Sequence, residues 1–175
     1  MKTSQQWWEE TKSSHEKLVA WLEKQYTGEV TAATRILDLR DKFHASGLNH
    51  RMLTFIAEQE QKHAIWIAEL LANRGVGQPE VGDPNRRYWK ETLKGIEDFE
   101  TGCAVGAHAE AMRLDRIRAI AMDESAPKDI RETFQKIQVE EVGHERLFRT
   151  MSTPEAMAAT LHNHEAGAAA LGLVA

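Results

Sequence analysis

Residues 60–63 read Glu-Gln-Lys-His, and residues 141–144 read Glu-Val-Gly-His. Each Glu-x-x-His follows a lone glutamate at one spacing. Glu29 precedes Glu60 by 31 residues, and Glu110 precedes Glu141 by 31 residues. On a helix, residues three apart share a face, with Cβ atoms about 5–6 Å apart. The doubled pattern therefore supplies four carboxylates and two imidazoles. That is the ligand set of a two-metal centre inside a four-helix bundle. Such oxygen and nitrogen donors suit a redox-active metal pair: two irons are the expectation, with an iron–manganese or manganese pair as the alternative.

Outward from these residues, apolar positions recur at three- and four-residue steps, the mark of amphipathic helices. The first helix gives Leu18, Leu22, Tyr26, Glu29, Ala33 and Ile36. The second gives Leu53, Ile56, Glu60, His63, Ile67 and Leu70. The third gives Phe99, Cys103, Ala107, Glu110, Leu114 and Ile117, and the fourth Ile130, Phe134, Ile137, Glu141, His144 and Phe148. In all four the polar groups interrupt the apolar stripe near mid-helix. Burying each carboxylate unpaired would cost several kcal/mol. Two divalent cations carry +4 and four glutamates −4, so metal offers neutrality.

Punctuation sets the topology. Ser13 to Glu16 reads Ser-x-x-Glu, a capping box that opens the first helix. That helix runs to about Ala45, where Ser46-Gly47-Leu48-Asn49 makes a tight connection and Asn49 caps the next. The second helix stops at Gly75. Residues 75–86 form the one long non-helical stretch and reach roughly 40 Å when extended. A 25-residue helix spans about 37 Å, so this stretch crosses the bundle. Ser125-Ala126-Pro127 opens the fourth helix, and Thr153-Pro154 opens a last one that fades into an Ala/Gly-rich tail. The expected architecture is all-α: an antiparallel four-helix bundle over 13–150, after an N-terminal segment over 1–12 and before a helix and tail over 153–175. At an offset of 81 residues Arg35 also matches Arg116, Ile36 matches Ile117, and Ile56 matches Ile137, as in a pseudo-twofold bundle.

The 175 residues suit a single domain, and 42% hydrophobic with 28% charged residues is ordinary for a soluble fold. A net charge of −5 argues against nucleic acid as a partner. No apolar run is long enough for a bilayer, and MKTSQQWWEE lacks the apolar core of a signal peptide. A cytoplasmic protein with no membrane association is the expectation. Cys103 is the single cysteine, so neither an internal disulfide nor a four-cysteine iron site can form within the chain.

The arrangement Glu29, Glu60-Gln-Lys-His63, Glu110, Glu141-Val-Gly-His144 resembles the ferritin-like di-iron carboxylate superfamily, and within it rubrerythrin-type bundles. The likeness covers about residues 13–150 and is specific at the six ligands. It implies a single ferritin-like domain and a di-iron site reacting with dioxygen or hydrogen peroxide. The chain departs from rubrerythrins in two ways. It has no rubredoxin-like segment, so an external electron donor is expected. Rubrerythrins also carry an extra glutamate one turn from the third-helix ligand, where this chain has Ala107 and Arg113. The ligand pattern is similar as well to that of small di-iron hydroxylases such as demethoxyubiquinone hydroxylase, and to bacterioferritins, which store iron. The expected function is thus a di-iron oxidoreductase. An oxygenase acting on a small organic molecule and an iron-storing ferroxidase are the alternatives. A homodimer is the expected assembly.

Around the ligands, Gln59 and Glu140 each precede a Glu-x-x-His glutamate. Glu140 reads equally as a hydrogen-bond partner of a ligand histidine, fixing its tautomer, and as a surface charge. Tyr26, one turn before Glu29, reads as a ligand partner or a core tyrosine. The small-residue run 102–107 faces Ala32 and Ala33, which places a pocket at Ala33, Cys103, Gly106 and Ala107, or else close helix packing. The other six histidines lack ligand spacing, and the five tryptophans read as packing or interface residues.

Overall fold

The computed structural model describes residues 2–83 and 86–172. Part of the expected crossover (residues 84 and 85), the last three residues of the tail and Met1 lie outside the described residues. The described residues form seven α-helices and no strand. These are α1 (Ser4–Thr11), α2 (His15–Lys42), α3 (Gly47–Ala72), α4 (Tyr88–Thr92), α5 (Phe99–Ala121), α6 (Lys128–Thr150) and α7 (Pro154–Ala170), with a 3₁₀ turn at Leu93–Gly95 after α4. No described helix is long and apolar enough to cross a membrane.

The helix boundaries follow local chemistry, with three shifts from expectation. The side chain that caps α2 is Ser14, which accepts from the Lys17 amide; Ser13 instead donates to the Glu10 carbonyl. Helix α3 begins at Gly47 rather than after Asn49, because Gly47 tolerates φ +56 at the sharp entry. At its end Gly75 takes φ +74, and the Val76 amide reaches back to the Leu71 carbonyl 3.0 Å away, as expected of a glycine stop. The third long helix starts only at Phe99. Asp98 and Thr101 form a reciprocal capping box there, and the residues before it break into α4 and the 3₁₀ turn. Thr153 caps α7, with Pro154 in its first turn.

Short connections make α2/α3 and α5/α6 two antiparallel hairpins. Helix α3 packs along α6, whereas α2 and α5 make almost no close backbone approach. Two apolar clusters fill the bundle. One joins Leu22, Ile67, Ile117, Phe134 and Ile137, with Trp8 and Trp21 closing its end. The other joins Ile36, Leu53, Ile56, Cys103, Ala107 and Phe148. Each large side chain fully buried there contributes roughly 1.5–3 kcal/mol. In every long helix the predicted ligands fall in sequence between residues of the two clusters, so a polar layer divides the core.

The short helices are pinned by specific polar contacts. Trp8 of α1 is fully buried, and its Nε1 donates to Asp123 Oδ2 at 2.8 Å, which Lys12 also reaches at 2.6 Å. On the outer side of α5, Tyr88 of α4 shares a 2.8 Å hydrogen bond with His164 of α7, and His108 stacks on His164. A Cβ at Gly167 would lie 2.7 Å from the Tyr88 ring, so glycine permits that approach.

Candidate metal centre

All six predicted ligands converge. Glu29, Glu60, His63 and Glu141 offer donor atoms within 4.8 Å of one another, and Glu60, Glu110, Glu141 and His144 do the same. Glu60 and Glu141 belong to both groups. Glu29 with His63, and Glu110 with His144, complete the two ends. Every one of these side chains is buried.

Both imidazoles are oriented from outside. His63 Nε2 lies 2.9 Å from Glu140 Oε2, and Lys62 holds the other oxygen of Glu140 at 2.6 Å. His144 Nε2 lies 2.8 Å from Gln59 Oε1. With each Nε2 committed outward, each Nδ1 faces the carboxylates. His144 Nδ1 is 3.0 Å from Glu60 and 3.2 Å from Glu141, and His63 Nδ1 is 3.5 Å from Glu141. The partners cross between hairpins: the residue before one Glu-x-x-His supports the histidine of the other. Tyr26 does not share this role. It makes no hydrogen bond among the described residues; it packs against the apolar cluster and lines a hollow of about 300 Å³ with Ala33 and Gln61.

Arg113 is the participant that spacing alone did not assign. Its Nη2 lies 2.5 Å from Glu29 and 3.0 Å from Glu141, and its Nη1 lies 3.5 Å from Glu60 and 3.8 Å from Glu110. The guanidinium thus touches all four glutamates. Its sequence signal was its place three residues after Glu110, on the same helix face.

The electrostatics without metal follow from this. Burial holds the Glu29 carboxyl well above the usual range, against the pull of Arg113. Burial, with Glu141 and Glu60 nearby, does the same to Glu110. Burial also opposes ionisation of Glu141, yet Arg113 and both histidines overcome it and hold this carboxyl well down. Glu60 is likewise lowered: burial and Glu141 push it up, and Arg113 and His144 prevail. Burial disfavours the His144 cation, but Glu141 and Glu60 outweigh it and raise the imidazole to about 9. The four carboxyls thus divide into a raised pair, Glu29 and Glu110, and a lowered pair, Glu60 and Glu141.

The donor set fits metal. Glu29 Oε2, Glu60 Oε1, His63 Nδ1, Glu110 Oε2 and Glu141 Oε1 are all buried without a hydrogen bond. Unpaired buried acceptors are costly: Glu60 Oε1 and Glu141 Oε1 keep an ion-pair contact at 3.0 Å, to His144 Nδ1 and Arg113 Nη2, whereas Glu29 Oε2, His63 Nδ1 and Glu110 Oε2 have only longer ones. With two divalent ions and four ionised glutamates, Arg113 leaves the centre at +1, so the neutral balance expected from the ligands alone is exceeded by one charge.

A cavity of about 850 Å³ lies between α2 and α5 and reaches Glu110 and Arg113. Of the residues expected to line a pocket, Gly106 does so; Ala33 faces the smaller hollow, and Cys103 and Ala107 are fully buried in an apolar cluster. Burial pushes the Cys103 thiol up to about 12, leaving it inert. The small residues also serve packing. A Cβ at Gly106 would lie 2.7 Å from the Phe148 ring, and one at Gly102 would overlap Leu39.

The family model for rubrerythrin matches residues 20–152, which contain all six predicted ligands and Arg113. No curated protein and no solved structure matches the chain.

Proposed function

This chain belongs to the rubrerythrin family, and we propose that it is an oxidoreductase whose two-iron centre activates dioxygen or hydrogen peroxide. The observation that carries the reading is the pair of overlapping four-ligand groups with their orphaned buried acceptors. When bound, an iron pair would supply two electrons and Lewis acidity. Glu29, Glu60, His63, Glu110, Glu141 and His144 would hold it, with Glu60 and Glu141 common to both ligand groups. Glu140 and Gln59 hold the imidazoles in the tautomer a metal ligand needs. Arg113 fixes a positive charge on the cavity side, which suits chemistry in which negative charge develops there. The apolar clusters keep water from the ligands at both ends. Cys103 is the single cysteine of this sequence and is buried, so these residues form no four-cysteine iron site to feed the centre electrons.

The cavity favours a second reading within the same chemistry. Oxidation of a small organic molecule needs room beside the metals, and about 850 Å³ falls in the range of small-molecule sites. Decomposing peroxide needs no such volume. Anaerobic ferrous loading, followed by stopped-flow mixing with oxygen and separately with peroxide, distinguishes the two. Faster oxidation by peroxide supports a scavenger, and a long-lived species with oxygen supports an oxygenase awaiting substrate. Slow, equal oxidation indistinguishable from free ferrous ion would overturn both.

A further inference from the structure

The chain has two tyrosines, and they stand in opposite surroundings. Tyr26 makes no hydrogen bond among the described residues and packs against an apolar cluster. Tyr88 is buried, and its hydroxyl lies 2.8 Å from His164 Nδ1. It lines the cavity that reaches Glu110 and Arg113. Burial, and then the charge of Glu110, hold its phenol above the usual range, so it keeps its proton at neutral pH.

Tyr88 is held in place by α7. A Cβ at Gly167 would lie 2.7 Å from its ring and 2.9 Å from its carbonyl oxygen. His164 lies flat against His108, with ring centres 4.8 Å apart and planes at 14°. Burial and His108 keep His164 below the usual imidazole range, so it is a neutral base. Among the described residues the hydroxyl has no other acceptor. An imidazole hydrogen on Nδ1 would leave the buried hydroxyl hydrogen without a partner, so the hydroxyl donates and Nδ1 accepts.

The tryptophans have no such outlet for a proton. Arg35 lies 3.8 Å from the centre of Trp89, Arg116 4.8 Å from that of Trp7, and Lys62 5.0 Å from that of Trp66. A cation held on the face of a ring opposes removal of an electron from that ring. Trp21 Nε1 is buried without a hydrogen bond among the described residues. Trp8 donates to Asp123. Burial opposes ionisation of Asp123, but Lys12, Ser125 and Trp8 hold its carboxyl well down, which makes it a poor base. Of the redox-active rings, Tyr88 alone can lose an electron and hand its proton to a neighbouring base.

We infer that Tyr88 and His164 form a redox pair that supplies an electron when an oxidant takes more than the metals can give. Hydrogen peroxide takes up two electrons and two protons to become two waters. Where the iron pair has one electron left to give, Tyr88 gives the other. Its O–H bond breaks, the electron passes to the metal centre, and the proton moves to His164 Nδ1. A neutral tyrosyl radical is left beside an imidazolium, and the protons for the two waters come from solvent. An external one-electron reductant restores the phenol as the proton returns. Transfer to the metals rests on the two-metal reading above; the readiness of Tyr88 to lose an electron rests on His164.

The test has two arms, both read by freeze-quench EPR. In one, ferrous-loaded protein is oxidised with one equivalent of ferricyanide per iron pair and mixed with hydrogen peroxide, iron being quantified on the same samples. In the other, metal-free protein is oxidised by a flash-excited ruthenium polypyridyl complex with persulfate. Both arms should give a tyrosyl signal that Tyr26→Phe leaves intact and Tyr88→Phe removes. His164→Gln keeps an acceptor for the hydroxyl but no base, and should lower the signal by about tenfold or more at an unchanged melting temperature. A merely structural hydrogen bond would be rescued by the amide. A signal that survives Tyr88→Phe, a tryptophan radical in its place, full yield in His164→Gln, or two irons oxidised by peroxide with no radical would overturn the inference. Protein that takes up no iron yet forms the Tyr88 radical in the flash arm would leave the pair standing and remove the two-metal reading.

Discussion

The wall built by α3 and α6 and the wall built by α2 and α5 serve the same six ligands in opposite ways. Helices α3 and α6 pack together and supply both histidines, whose outer nitrogens are tied to Glu140 and Gln59. Helices α2 and α5 supply only Glu29 and Glu110, and a large cavity lies between them. One wall fixes geometry and the other gives access. The difference shows how a pseudo-twofold bundle can hold a near-symmetric donor set and still open onto a large cavity from one side. Arg113 marks that side, because it extends from α5 to all four glutamates and also lines the cavity.

The largest effect should come from residues that belong to both ends of the centre. Glu60→Ala or Glu141→Ala should abolish the two-metal stoichiometry, read as iron per chain after anaerobic loading. Two irons retained in both variants would break the assignment of Glu60 and Glu141 as the carboxylates shared by both metals. Next is the open wall. Arg113→Met strips the buried carboxylates of their shared cation, and breaking a buried pair costs about 3–5 kcal/mol. Urea unfolding of metal-free protein should show a loss of that order, with a smaller loss after metal loading. An equal loss in both states would mean that Arg113 and the metals do not share the same carboxylates.

The pH dependence sharpens the contrast between the empty and the loaded centre. His144 is raised to about 9 from 6.5, and Glu29 and Glu110 are held well above 4.5. Groups whose folded pKa exceeds the unfolded value stabilise below the unfolded pKa, and that stability is lost as pH rises through the folded pKa. Metal-free protein should therefore lose stability between about pH 6.5 and 9 from His144, with Glu29 and Glu110 adding losses as they ionise. Metal displaces the same protons, so metal affinity should fall as pH falls. Denaturation curves at pH 6.5, 8 and 9, with and without metal, check both signs. The smallest effect belongs to the closed wall. Glu140→Ala should weaken metal binding by about 10–100-fold. Gln59→Ala should weaken it less, because a neutral amide polarises His144 less than a carboxylate polarises His63.

The buried Glu/His cluster was legible in the sequence because helical periodicity and a doubled spacing converge on the same six residues. Burial of those residues followed from the apolar stripes, and the crossover followed from the Gly/Pro-rich stretch before residue 87. Three things were not legible. The direction of a long side chain is one: Arg113 could be placed beside Glu110 by spacing, but its reach across to Glu29 depends on how α2 and α5 stand apart. That separation is the second: Trp89 of α4 lines the space between them and Trp7 of α1 lies under Arg116 of α5, and no spacing in the sequence announces where these short helices dock. The third is which of several small residues faces outward. Gly106 and Cys103 lie three apart on α5, yet one borders the cavity and the other is buried against Ile36 and Phe148.

Ferrous titration of chelator-stripped protein under anaerobic conditions, with thermal unfolding followed at each addition, tests the central claim most directly. The account predicts saturation at two irons per chain and a rise in melting temperature that EDTA reverses. Saturation below one iron per chain, with a melting temperature indifferent to iron and EDTA, would mean that Arg113 and the protonated carboxylates have replaced the metals altogether.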